Sequence, residues 1–128
     1  MTDIPAVAQK WLDDPEFATV ATVEPDGQPQ VSVIWVKRDG NDVLFSTVRG
    51  RRKTVNLERD PRATVVVFPA DSPYHYVELR GRVTLEDDPE GKLINELSHE
   101  YTGKEWTKDA PGTPRVIVRL TPAKVVVH

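Results

Sequence analysis

Apolar residues recur along this chain at two different spacings. Near the start, Ile4, Val7, Ala8, Trp11 and Leu12 follow the i, i+3, i+4, i+7, i+8 rhythm of one helical face. Asp3 is placed to cap that helix and Pro5 suits its first turn. Asp14-Pro15 ends it, because a residue before proline is pushed out of the helical region. From Phe17 onward the period falls to two. Segments 17–23 and 28–38 are rich in β-branched residues and flank Glu24-Pro25-Asp26-Gly27, which has turn chemistry. A third strand, 42–48, follows Asp39-Gly40-Asn41, which predicts a meander. Within 28–38 both faces are partly apolar: Val31, Val33 and Trp35 on one, Ile34 and Val36 on the other. Such a strand predicts a barrel wall packed against something else, a partner subunit or a cofactor ring.

Segment 50–59 breaks the run of strands as a short polar helix, ended by Asp60-Pro61. Strands follow at 62–68 and 74–85. The second has unlike faces, His75, Val77, Leu79, Val83 and Leu85 against Tyr76, Glu78, Arg80 and Arg82. The charged alternation predicts a cross-strand ion-pair ladder, with dimer contacts as a second reading. Asp88-Pro89 opens another amphipathic helix, with Leu93, Ile94, Leu97 and Tyr101 inward and Gly103 as its stop. Residues 104–114 read as a loop and 115–127 as a last strand, interrupted near Thr121-Pro122. Together these elements predict an α+β fold, a six-stranded and mainly antiparallel barrel with flanking helices.

Composition narrows the function. The 128 residues fit one domain, 1–128. A net charge of −3 argues against a general nucleic-acid binder, and no nucleic-acid partner is expected. The absence of cysteine excludes a disulfide framework, a thiolate nucleophile and a cysteine-ligated metal. His75, His99 and His128 lack metal-ligand spacing, so no metal is expected. No apolar run approaches the ~20 residues of a membrane span, and the start lacks the features of a signal peptide. A soluble, cytoplasmic protein is expected. No Ser-His-Asp arrangement or paired carboxylates stand out, so no catalytic residue is named.

The most informative stretch is Ser46-Thr47-Val48-Arg49-Gly50-Arg51-Arg52-Lys53-Thr54. It places four cations at the end of a strand and in the first turn of a helix. A helix N-terminus already carries about +0.5 charge, so cations there are unfavourable by ~0.3–1 kcal/mol each. An anion among them would reverse the sign. Free backbone N–H groups, arginine forks and a lysine ammonium suit a phosphate, Thr54 adds a hydroxyl, and Gly50 lets the backbone come close. The other reading is a solvated helix end paired with Glu58 and Asp60. Neither a P-loop nor a dinucleotide fingerprint is present.

The order of a first helix, Phe-Ala-Thr-Val-Ala-Thr at 17–22, Asp-Gly-Gln-Pro-Gln-Val-Ser at 26–32 and a third strand leads into Arg51-Arg52-Lys53-Thr54-Val55-Asn56-Leu57-Glu58-Arg59-Asp60-Pro61-Arg62-Ala63. This pattern resembles the flavin-reductase-like split barrels, which include the pyridoxamine 5′-phosphate oxidase-like proteins. The last stretch is most similar to the branch that uses the deazaflavin coenzyme F420. The resemblance covers nearly the whole chain, strongest from Thr19 to Phe68 and weak after about Leu85.

The resemblance implies a split β-barrel, F420 as cofactor with FMN as the alternative, and a homodimer with two equivalent sites. It implies that Arg51, Lys53 and Thr54 hold the cofactor phosphate, with Arg49 and Arg52 in the same cationic run. Ser46, Thr47 and Val48 would line the phosphate and ribityl chain. Val31, Ser32, Val33, Ile34 and Trp35 would edge the ring, although Trp35 also reads as plain core. The other subunit would contribute residues around Ser72, Tyr74 and Tyr76. The terminus Val-Val-Val-His differs from the C-terminal Arg-Leu-x-Pro-type segment of pyridoxamine phosphate oxidases, which argues against that substrate. The expected activity is hydride transfer from reduced F420 to a small electron-poor substrate. A proton would come from solvent or from Tyr74, His75 or Tyr76. His75 also reads as part of an aromatic cluster closing the barrel. An FMN-dependent oxidoreductase and a non-catalytic cofactor-binding protein are the alternatives.

Overall fold

Proline- and glycine-marked boundaries divide the chain into three helices and seven strands in a computed structural model, which describes residues 2–128. Helix α1 (Ala6–Asp13) buries Ala8 and Leu12, with Ile4 buried just before it. Pro5 occupies the cap position, and Asp3 does not cap. The Asp3 carboxylate instead accepts from Asn41 Nδ2 at 3.0 Å, tying the N-terminus to a hairpin.

The strands are β1 (Phe17–Val23), β2 (Pro29–Ile34), β3 (Lys37–Asp39), β4 (Asp42–Val48), β5 (Arg62–Phe68), β6 (Val77–Asp87) and β7 (Arg115–Val127). They form one antiparallel sheet in the order β2-β1-β5-β6-β7-β4-β3. The expected count of six becomes seven because segment 28–38 is two strands. Ile34 pairs with Ala18 on β1, whereas Lys37 pairs with Leu44 on β4. Trp35 and Val36 therefore carry the chain from one edge of the sheet to the other. Three residue steps reach at most ~10 Å, so the sheet curls until its edges are neighbours. The ladder itself stays open between β2 and β3.

Alternation decides the core. β1 and β5 bury every second residue, bringing Ala18, Val20, Val65 and Val67 together with Leu79, Phe45, Val118 and Leu120. Helix α2 (Arg52–Arg59) adds Leu57 to that core. Helix α3 (Lys92–Thr102) packs Leu93 and Leu97 against Leu44, with Trp35, Tyr101 and Ile117 around them. Its start is held by the buried Asp88 carboxylate, which accepts from the N–H groups of Lys92 and Leu93 at 3.1 and 2.9 Å.

Three further expectations change. β6 begins at Val77 and not at 74, because Ser72 and His75 donate backbone bonds back into a turn. β7 runs unbroken, and the irregularity near Thr121-Pro122 is a β-bulge facing Arg80 and Gly81. A Cβ on Gly81 would lie 2.1 Å from the Thr121 carbonyl oxygen, so the bulge needs glycine there. No ion-pair ladder crosses the sheet at Glu78, Arg80 and Arg82. Arg80 pairs with Glu78 on its own strand at 2.6 Å, and Arg82 stands opposite Arg62. Among the described residues no helix is long and apolar enough to cross a membrane.

Candidate anion-binding cleft

β4 alternates, so Ser46 and Thr47 point to opposite faces. Thr47 is fully buried beneath α2, where its hydroxyl lies 3.2 Å from that of Thr54. The Thr54 hydroxyl donates to the Val48 carbonyl at 2.9 Å, which leaves Thr47 as donor to Thr54. These two threonines therefore fasten the start of α2 to the end of β4. Gly50, at φ +92°, makes the left-handed turn between them. No side chain caps α2, and its first turn contains no acidic residue. Lys53, in that turn, reaches the outer side of β4 beside Ser46 with no carboxylate partner among the described residues.

A cleft of about 240 Å³ lies there, lined by Ser46, Arg51 and Lys53, by Val33, Ile34 and Trp35, and by Ile94 and Leu97 of α3. Trp106, Lys108 and Arg115 complete it. The aromatic wall is well ordered by contact: Trp35 stacks on Tyr101 at 5.2 Å and meets Trp106 edge-on at 5.9 Å. Trp35 thus serves as both packing and cleft wall. Arg115 is 3% exposed, and its guanidinium grips Asp109 at 2.7 and 2.9 Å and lies 5.3 Å from the Trp106 ring centroid.

The electrostatics of the cleft are lopsided. Arg51, Lys53, Lys108 and Arg115 line or border it, with Asp109 as the adjoining carboxylate. Burial first, then Arg51 and Arg115, push the Lys53 ammonium below its ordinary 10.5. Arg115 chiefly holds the Asp109 carboxyl down at about 2, with the Trp106 indole and Arg51 assisting. Such a half-buried, unpaired ammonium is stabilised by an incoming anion.

The cationic run is therefore divided. Arg51 and Lys53 face the cleft. Arg49 pairs with Asp87 at 2.7 Å and reaches Glu58 at 3.7 Å, and Arg52 holds Glu24 at 2.7 Å. The pairing partners expected from sequence were Glu58 and Asp60, but Asp60 is taken by Arg62 at 2.7 Å. Val48 is half-buried at the strand end and lends its carbonyl to Thr54. Ser32 faces Val20 across the sheet and its buried hydroxyl has no hydrogen-bond partner, while Val31 is 60% exposed on the outer face. Ser72 and His75 line a different cleft beside Trp11 and Glu16. Tyr74 is 89% exposed, and Tyr76 stacks on His128 at 4.3 Å. Within one chain none of these four lines the cationic cleft.

Sequence reasoning missed Trp106, Lys108, Asp109 and Arg115. The available signal was a charged residue opening the apolar run Arg115-Val116-Ile117-Val118, directly after a loop containing Trp106 and Asp109. The tetrapeptide Arg119-Leu120-Thr121-Pro122 does fit Arg-Leu-x-Pro, which corrects the reading that the pattern is missing. It lies within β7, where Arg119 holds Asp39 and Asp42 at 3.0 Å each, outside the cleft lining.

The chain is thus a small mixed α and β protein, a curled antiparallel sheet with a cationic, indole-walled cleft at the start of a short helix. The sequence pattern of pyridoxamine 5′-phosphate oxidase matches residues 4–128, and the chain belongs to that family. Curated relatives include the pyridoxine/pyridoxamine 5′-phosphate oxidases of Aeromonas hydrophila, 34% identical over 61% of this chain and 41% of the relative, and of Cupriavidus necator, 32% identical over 70% and 39%. The matches span only about two fifths of those relatives' length. A solved F420 reductase is 32% identical, with TM-score 0.88 over 96% of this chain and 98% of its own. A pyridoxamine 5′-phosphate oxidase-related, FMN binding protein from Nostoc punctiforme shares the fold at 16% identity, with TM-score 0.63 over 93% and 76%.

Proposed function

We propose that this protein is an oxidoreductase that holds a phosphate-bearing deazaflavin, F420, in the cationic cleft and uses it to reduce a small electron-poor substrate. The observation that carries this reading is the meeting of unpaired Lys53 and Arg51 with the indoles of Trp35 and Trp106 in one cleft. Cations without a counter-charge suit a phosphate, and a flat apolar wall suits a fused ring. The likeness to an F420 reductase over nearly the full length of both chains favours F420 over FMN. FMN is the second reading, favoured by the FMN-binding relative of the same fold.

When bound, such a cofactor supplies the hydride chemistry. The chain's own residues bind and orient it. Lys53, Arg51 and the free N–H groups of α2 neutralise the phosphate, Ser46 offers a hydroxyl, and Val33, Ile34 and Trp35 bound the ring position. Tyr74, His75 and Tyr76 lie outside the cleft within one chain, and Lys53 is committed to the phosphate, so the substrate proton comes from solvent or from a second copy.

The same reading makes the protein a cytoplasmic homodimer in which residues 1–128 act as one cofactor-binding domain. Val31 and Val33 are 60% and 69% exposed on one outward face of β2, with Phe17 exposed nearby on β1. A cleft of 240 Å³ is below the ~300–1,000 Å³ of ordinary small-molecule sites, so a second copy bringing its 72–76 segment would complete it.

Side-by-side titration with F420 and FMN tests the cofactor. Saturable quenching of F420 fluorescence, with FMN at least tenfold weaker, is expected. Yellow purified protein, or tighter binding of FMN, would replace F420 with FMN. Binding without turnover across a panel of enones and quinones would leave a cofactor carrier and refute the reductase.

A further inference from the structure

Arg115 has more donor capacity than its partners use. A guanidinium carries five N–H groups, and buried donors are normally satisfied. In Arg115, Nε and Nη2 are directed at Asp109, at 2.7 and 2.9 Å. Nη1 reaches only Ser46 Oγ, at 3.5 Å, the outer limit of a hydrogen bond. Both Ser46 and Arg115 line the cleft. The buried indole Nε1 of Trp106, on the same wall, interacts with the Asp109 carboxylate but has no acceptor at full hydrogen-bond geometry. A nine-tenths buried cation with one open edge thus adjoins the ammonium of Lys53.

The guanidinium is not free to turn. Asp109 fixes two of its nitrogens and Trp106 lies against it. The loop that carries both is pinned in turn: Trp106 N–H donates to Asn95 Oδ1 at 2.9 Å, and Ser98 Oγ donates to the Lys104 carbonyl at 2.7 Å. At its far end Asp88 N–H donates to the Arg115 carbonyl at 2.8 Å. Loop geometry therefore sets the direction of the open Nη1 edge.

We propose that Arg115 is a second anion anchor of the cleft, contacting the phosphate from the side opposite α2, and that Asp109 is its positioning residue. The loop 103–114 then becomes part of the binding site. The proposal rests on the reading of the cleft as a phosphate site, and it holds whichever flavin-type ring the phosphate bears. Arginine suits this place because a fork held by a carboxylate on one edge still presents a planar pair of donors on the other. Asp109 lowers the raw positive charge of the cleft, so its contribution is direction and not attraction.

Inorganic phosphate is the probe, followed by NMR of the arginine Nε–H and tryptophan indole N–H groups of the full chain. Saturable shifts at Arg115 and Trp106 are expected. Arg115→Lys, which keeps charge and loses the fork, should weaken phosphate binding about tenfold, equivalent to ~1.4 kcal/mol. Asp109→Asn separates positioning from charge. Simple attraction predicts tighter phosphate binding once the carboxylate is gone, whereas loss of positioning predicts weaker binding and a smaller Trp106 response. Tighter binding in Asp109→Asn, absence of a saturable response in the wild type, or responses confined to Arg51 and Lys53 would overturn the proposal. Should Arg115→Lys not fold, the wild-type titration and Asp109→Asn decide alone. Phosphate shifts at Arg115 without binding of either F420 or FMN would instead sink the cofactor reading and leave the anion anchor standing.

Discussion

Arg49 and Arg52 differ from Arg51 and Lys53 by a residue or two in sequence and by everything that matters in environment. The first pair ends on carboxylates, Asp87 and Glu58 for Arg49 and Glu24 for Arg52. The second pair faces a cleft, and the Lys53 ammonium is depressed by burial and by neighbouring cations. Arg52 and Lys53 are successive helical positions 100° apart, whereas Arg49 and Arg51 precede α2 on either side of the left-handed turn at Gly50, so the run is distributed over several directions. The lesson is that a basic run marks a neighbourhood, and only the members left without counter-charges mark a site.

The largest effect expected from breaking this contrast is at Lys53. Lys53→Glu should weaken the cofactor by about a hundredfold or more, because a charge-assisted bond of ~1.5–3 kcal/mol is lost and repulsion replaces it. Calorimetric titration checks this. Next comes Thr54→Val, which removes the acceptor of the buried Thr47 hydroxyl and the bond to the Val48 carbonyl. A loss of ~1–3 kcal/mol in unfolding free energy is expected by denaturant titration, with weaker binding through a loosened α2. Unchanged stability in this near-isosteric replacement would show that the threonines do not fasten the helix.

pH separates the groups further. Lys53 has its pKa lowered in the folded protein, and a bound anion favours its charged form. Cofactor affinity should therefore decline as pH rises through a value below 10.5. A pH series of titrations, with Lys53→Arg as the insensitive control, tests the assignment. At the acid end, Asp109 sits at about 2 against an ordinary 3.8. Its contribution to stability is complete above about pH 4 and is lost as pH falls toward 2. Asp109→Asn should flatten that part of the acid limb, leaving the similar contribution of Asp60 intact. The smallest effects belong to the paired cations. Arg49→Gln and Arg52→Gln should each leave the denaturation midpoint nearly unchanged and change affinity less than twofold, as exposed ion pairs do.

Much of the fold was legible because alternation and turn residues are local signals. Ile4, Ala8 and Leu12 bury where their spacing puts them, and β1, β5 and α3 follow the expected pattern. The seventh strand was not legible. Trp35 and Val36 look like strand residues by composition, and only the pairing of Ile34 and Lys37 with different neighbours breaks the run. Half of the site was visible for a similar reason. Arg51 and Lys53 are close in sequence to the turn that aims them. Arg115, Trp106 and Asp109 reach the cleft through β7 and its preceding loop, a juxtaposition set by tertiary pairing of Val48 with Arg115. Local pattern carries no information about that pairing.

The direct test of the division among the cations is a pair of double variants, each losing two positive charges from the same five-residue run. Arg51→Gln/Lys53→Gln and Arg49→Gln/Arg52→Gln would be titrated with F420 and FMN at one ionic strength, beside the wild type. The first should abolish measurable binding of whichever cofactor the wild type takes, while the second should bind within about twofold of the wild type. Equal losses in both would show that the run acts through bulk charge and would contradict the account.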